Sequence, residues 1–172
     1  QHDKLQHISA ISRIEEDRYV WLDKFTVRNL ELFYSYNENA KTLSQIIDKT
    51  ISPMGARLLK RWLALPLKDI QAINARLDVV DYFLKHIDFR EEVKTHIHEI
   101  GDIERIISKA AAGRITPRET VQLKTALRAI KPIKDRCMET DEPTLRKIGE
   151  QLNPCETICE KIEHEILPEP NN

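Results

Sequence analysis

The 172-residue chain is poor in the residues that build turns and sheets: it has 4 Gly, and its aromatic share is 6%. An all-β design needs many tight turns and strand-forming aromatics, so this scarcity argues against one. No apolar run approaches the roughly 20 residues of a membrane span. The polar start, QHDKLQHISA, has no apolar stretch of the secretory kind. There is almost no net charge, because 27 Lys and Arg stand against 28 Asp and Glu. A near-neutral body sets up no global field that would draw it to nucleic acid or an anionic membrane. Cys137, Cys155 and Cys159 are odd in number and too few for a disulfide framework, so free thiols in a reducing cytoplasm are expected. The chain also lacks an initiator Met, which points to excision from a longer polypeptide.

Motifs of catalysis are missing too. There is no G-x4-G-K-[ST] phosphate loop and no G-x-S-x-G elbow. Cys155 and Cys159 lie one turn apart, but C-x3-C with a distant His164 is not a zinc signature. His96 and His98 flank Ile97 and on a helix point apart. The carboxylates sit among lysines and arginines at helix-surface spacing, with nothing to mark a raised-pKa pair. No catalytic, cofactor-binding or metal-binding residue is assigned, and the chain alone is not expected to be an enzyme.

What is present is a series of helices. The apolar share of 41% is enough for a core, and 32% of residues are charged. Tyr19 to Leu22 is β-rich and reads as a short strand paired with Ile8 to Ile14. Val27, Leu30 and Phe33 then have helical spacing, and YSYNENAK, Tyr34 to Lys41, is a polar loop. Thr42-Leu43-Ser44-Gln45 fits a capping box. Ser52-Pro53 puts a capping hydroxyl before a Pro at the first helical position. Met54, Leu58, Trp62 and Leu65 follow on one face, and Pro66 stops the helix. This reads as a short, deeply packed helix in which Trp62 is a core residue rather than a stacking platform. Gly55 costs about 1 kcal/mol of propensity relative to Ala, so it marks a tight turn into the helix or close approach by another backbone.

Asp69 caps the strongest helix, whose Ile70, Ile73, Leu77, Val80, Leu84 and Ile87 form a heptad seam. Phe89, Val93, Ile97 and Ile100 continue to Gly101, and Ile103, Ile106, Ile107 and Ala110 to Gly113. Thr116-Pro117-Arg118-Glu119 is a second strong helix start. Pro132 interrupts the helix that follows, and Asn153-Pro154-Cys155-Glu156 starts a last one before a frayed end. The expected fold is mainly α: a multi-helix, orthogonally packed, bundle-like core of about seven helices, with a small N-terminal β element.

Charge is unevenly spread. From Arg105 to Arg136 the basic residues are Arg105, Lys109, Arg114, Arg118, Lys124, Arg128, Lys131, Lys134 and Arg136, opposed only by Glu119 and Asp135. The stretch from Glu139 to Glu169 reverses the sign. Two neighbouring helices of opposite charge explain this without a ligand. A phosphate-facing stripe, with Arg105, Lys109, Arg114 and Arg118 as its candidate contacts, is the second reading, because nucleic-acid binding usually goes with a net basic domain.

TVRNLELFYSYNENAKTLSQIIDKTISPMGARLLKRWLALPLKDIQAINARLDVVDYF, Thr26 to Phe83, resembles the core region of the MutS family of DNA mismatch repair proteins. The carriers are RNLEL, then SPMGARLLKRWL with its PL ending, then ARLDVVDYF. GDIERI at Gly101 to Ile106 and the TPRE that follows are similar to the same family. The likeness runs from about His7 to about Ile166.

The resemblance implies a helical core joining DNA-holding parts to an ATPase motor, both outside this chain. Residues 1–25 would be a short β and linker segment, 26–135 the helical core, and 136–172 the start of the lever helices. The family's Phe-x-Glu mismatch-reading motif is not carried over to any position here. ATP and Mg would belong to the parent protein. Mismatched double-stranded DNA, a second MutS subunit and other domains of the same polypeptide would be its partners, with no membrane. Pro53, Gly55 and Trp62 would form a structural keystone. A free-standing helical module for protein–protein interaction is the alternative.

Overall fold

A computed structural model of the chain describes residues 16–37 and 39–168. These are mainly α, with ten α-helices, a 3-10 turn at Glu16–Arg18, and no strand among the described residues. They form two compact units, 16–77 and 78–168. Helix α4 (Ile70–Lys85) gives its first half to one unit and its second half to the other.

The first unit holds α1 (Lys24–Asn29), α2 (Leu43–Ile47) and α3 (Pro53–Ala64). Its order comes from hydrogen bonds more than from burial. The Thr42 hydroxyl accepts from the Gln45 amide at 3.3 Å, and Gln45 Oε1 accepts from the Thr42 amide at 2.9 Å, which completes the expected capping box. Ser52 Oγ accepts from the Gly55 amide at 3.1 Å, with Pro53 at the first helical position where no N–H is missed. Leu32 is the one buried apolar side chain among the described residues of this unit.

The expected strand at Tyr19–Leu22 takes another form. Tyr19 makes a single antiparallel bridge to Leu67. The Val20 amide donates to the Pro66 carbonyl at 2.7 Å, and the Lys68 amide to the Arg18 carbonyl at 3.1 Å. Pro66 can accept but not donate, and Asp23 already caps α1, so the pairing stays a clip rather than a ladder. The partner expected for it, Ile8 to Ile14, lies outside the described residues.

The second unit contains α5 (Ile87–Ile100), α6 (Ile103–Ala111), α7 (Pro117–Arg128), α8 (Ile130–Glu139), α9 (Pro143–Gln151) and α10 (Glu156–Glu165). Helix α8 packs on α9 and on α5, and α7 packs on α6 and α10. Phe89 and Val93 of α5, Ile133 and Cys137 of α8, and Leu145 of α9 form the core, joined by Val79, Tyr82 and Phe83 of α4. The Phe89 ring meets Tyr82 edge-on at 5.9 Å and Phe83 at 5.5 Å, geometries that aromatic quadrupoles favour. Gly101 and Gly113 have positive φ, 61° and 66°, so each ends its helix in backbone that other residues adopt only with strain. The interruption expected at Pro132 falls just before it, at Ala129, the residue between α7 and α8.

Helix α9 was not among the sequence-based expectations, although its start carries a signal. Glu142 caps it by accepting from the Leu145 amide at 2.6 Å, and Pro143 takes the first position. Gly149 shows why it packs so closely on α8. A Cβ added there would lie 3.0 Å from both Cys137 Cβ and Met138 Sδ.

One packing expectation is corrected. Helix α3 buries no residue: Leu58 is exposed, and Trp62 is 40% exposed. The heptad seam is largely exposed: Ile70, Leu77, Val80 and Leu84 of α4 and Ile87 of α5 are exposed, and Ile73 is half-buried. Within the second unit, Val79, Tyr82 and Phe83 take the core instead, because the larger rings reach Phe89.

Candidate functional site

The basic stretch from Arg105 to Arg136 resolves into two kinds of residue. Most of its cations are engaged within the fold. Lys124 Nζ lies 3.7 Å from Glu163 Oε1, and Arg128 donates to the same carboxylate. Lys131 reaches Glu156 at 3.4 Å. Lys134 Nζ donates to the Gly149 and Leu152 carbonyls, both at 2.8 Å, and so ties α8 to the end of α9. Arg136 bonds Glu92 at 2.9 Å and Glu139 at 3.3 Å while resting over the Phe89 ring. Acidic α10 facing basic α7 is the structural reading of the charge reversal, and these ion pairs realise it.

The four candidate phosphate contacts are spread over α6, the connection after it and the first turn of α7. Asp102 Oδ1 caps α6 by accepting from the Arg105 amide at 3.3 Å. Lys109 lies one turn after Arg105, so the two share a face. The Arg114 amide donates to the Lys109 carbonyl at 2.8 Å, which folds the connection back on α6. Thr116 and Glu119 form the expected capping box at 3.2 and 3.1 Å, and Arg118 lies inside the first turn of α7. Lys109 is consumed at this corner: its ammonium donates to Glu119. That bond, before the Thr116 amide, holds the Glu119 carboxyl below the usual carboxylate range. Arg105, Arg114 and Arg118 are exposed, and no carboxylate among the described residues pairs with them. Of the four cations, one is thus neutralised and three are exposed without a carboxylate partner among the described residues.

The expected keystone is built locally. A Cβ on Gly55 would lie 3.2 Å from Ser52 Oγ and 3.4 Å from Thr50 Cβ. Gly55 is therefore set by its own capping turn and not by a second backbone. Trp62 is not a core residue; its ring carries the Arg76 guanidinium, whose carbon lies 3.7 Å from the ring centroid. Burial pushes that guanidinium below its usual range, opposed only by the nearby Tyr19 phenol. Arg76 was missed from the sequence, because nothing in a single chain pairs it with Trp62.

Burial pushes the Cys137 and Cys159 thiols up, which keeps them protonated at neutral pH. Among the described residues no three His, Cys, Asp or Glu side chains are grouped to hold a metal. Phe89-Arg90-Glu91 does have Phe-x-Glu spacing, so the sequence contains one such run. Phe89 is only 3% exposed and belongs to the core, out of reach of a base. The sequence has no glycine-rich loop of the kind that cradles a triphosphate. The amides at the starts of α2, α3, α4, α6, α7 and α9 are already taken by Thr42, Ser52, Asp69, Asp102, Thr116 and Glu142. No described helix is long and apolar enough to cross a membrane.

Comparison with known proteins identifies the setting. A family model described as MutS domain III matches residues 25–172. Proteins named DNA mismatch repair protein MutS are similar over nearly the whole chain. The one from Phocaeicola vulgatus is 60% identical over 170 residues, 99% of this chain and 20% of the relative. Those from Bacteroides fragilis and Flavobacterium psychrophilum are 58% and 54% identical, over 99% and 94% of this chain and 20% and 19% of each relative. The chain thus spans about a fifth of the length of the curated relatives it matches.

Proposed function

We propose a coupling-scaffold role for this chain, which belongs to the MutS domain III family. In this reading it is the helical body of a mismatch repair protein, standing between the parts that hold mismatched double-stranded DNA and an ATPase in another part of the polypeptide. ATP and Mg belong to that other part, a second subunit completes the assembly, and the parent works in the cytoplasm. Residues from about 136 onward would begin the levers.

The observation that carries the reading is the exposed apolar surface of residues 16–77. Trp21, Phe25, Leu30, Leu58, Trp62 and Ile70 are all exposed there, while the unit's backbone is fixed by caps and the Tyr19–Leu67 clip. Surfaces of this kind mark contact with other protein. Once other parts of the polypeptide cover this surface, the unit would become a rigid, packed element of the kind that carries coupling between distant sites.

The test is Trp62→Ala in the full-length protein, following thermal stability and the effect of nucleotide on DNA affinity. The scaffold role requires at least one of these to fall; if both stay at wild-type values, the role is lost. A second proposal concerns the free corner. If Arg105, Arg114 and Arg118 face phosphate, Arg114→Ala and Arg118→Ala together weaken DNA binding alike for all sequences. They also reduce the salt slope by about 2, roughly one unit per contact. An unchanged slope would leave the corner as solvated surface.

A further inference from the structure

We propose that the cleft between the Tyr19–Leu67 clip and the first turns of α4 is a docking site for a protein carboxylate, with Arg76 as its receptor. The proposal rests on the scaffold reading and deepens it, by naming one contact through which the rest of the polypeptide holds this unit. The cleft measures about 500 Å³ and is lined by Asp17, Arg18, Tyr19, Leu67, Asp69 and Arg76, with Ala72 at its floor.

Arg76 is the unusual feature. It is half-buried, it stacks on Trp62 at 3.7 Å, and no carboxylate among the described residues pairs with it. Stacking engages the face of a guanidinium and leaves its in-plane N–H fork free. A cation that has lost part of its water and gained no counterion is unfavourable until one arrives. The fork matches the two oxygens of a carboxylate, or a phosphate, as a bidentate acceptor.

The surroundings choose between those two. Asp17 and Asp69 both line the cleft, and the Ala72 amide donates to Asp69 at 2.7 Å. A polyanion laid along this lining would meet both, whereas one carboxylate on an otherwise neutral surface need meet only Arg76. The neighbouring surface is mixed: Trp62 and Leu58, one turn apart on α3, and Ile70 on α4 are exposed apolar groups, with exposed Arg57, Lys60 and Arg61 between and beside them on α3. Aromatic and arginine anchors of this type dominate protein–protein contacts. The occupant is therefore an Asp or Glu side chain set among apolar residues on another segment of the same polypeptide.

The test uses the full-length protein with the photo-crosslinker p-benzoylphenylalanine in place of Ala72 and, separately, of Tyr19. Both positions should capture one and the same peptide from elsewhere in the polypeptide, and that peptide should contain an Asp or Glu flanked by apolar residues. Arg76→Met, or Arg76→Gln if the first variant melts early, should lower the yield about ten-fold, and so should Asp→Asn or Glu→Gln in the captured peptide. Capture of DNA, of a second differently tagged copy, or of a peptide without a carboxylate overturns the proposal. So does absence of capture, or a yield indifferent to Arg76. These outcomes leave the scaffold role standing as long as Trp62→Ala still disturbs stability or nucleotide coupling, so the two failures are distinguishable.

Discussion

Residues 78–168 and residues 16–77 reach order by different means. The first of these stretches encloses Phe89, Val93, Ile133, Cys137 and Leu145, and cross-links its helices with Lys134, Arg136, Arg128 and Lys124. The second has well-formed caps at Thr42 and Ser52 and a two-bond clip at Tyr19, but buries only Leu32 among its described apolar side chains. Hydrogen bonds fix where a chain turns, and each contributes only about 1 kcal/mol net. Burial supplies most of the free energy that keeps it there. A region with caps and little core has its shape written locally.

That contrast can be broken most directly at the core. Leu145 is 2% exposed, so Leu145→Ala should cost about 3–5 kcal/mol in a denaturant titration of the chain. Trp62→Ala in the same chain should cost less than half as much, and an equal cost would mean that residues 16–77 hold a core of their own. Gly149→Val should follow, at about 1–3 kcal/mol, because α8 leaves no room for the added methyls. Ser52→Ala removes a cap and should cost about 1 kcal/mol, read as a lower midpoint with an unchanged slope.

The smallest expected effect is electrostatic. Arg128 first, and Lys124 less, hold the Glu163 carboxyl below its ordinary value of 4.5. A lowered carboxyl stabilises fully above the ordinary value and loses that contribution as pH falls through the lowered one. Melting temperatures from pH 7 to 3 should therefore fall more steeply for the wild type than for Glu163→Gln, with the gap closing in acid and shrinking in salt. Parallel curves would show that the pair contributes nothing.

Legibility in the sequence followed the range of the interaction. Thr42 with Gln45, Ser52 with Pro53, Asp69, and Thr116 with Glu119 were readable because each cap joins residues at most three apart. The missed cap at Glu142 was of the same local kind, hidden because Glu replaces the usual Ser, Thr or Asp. At the α6–α7 corner the four cations were readable as a group, but not the loss of Lys109 to Glu119. Arg76 over Trp62 was invisible, since helical spacing relates neither residue to the other. The heptad seam was legible as an apolar face, but period never reveals what covers such a face.

The sequence by itself determined the helical class, most helix starts and the family, because propensity, capping and residue identity act over a few neighbouring positions. Only the tertiary structure decided that Val79, Tyr82 and Phe83 face the core while Ile70, Leu77 and Leu84 face out, and that Arg76 pairs with no carboxylate among the described residues. Those outcomes depend on which segments of the chain meet in space, and each such meeting is a competition among many apolar and charged groups of nearly equal claim.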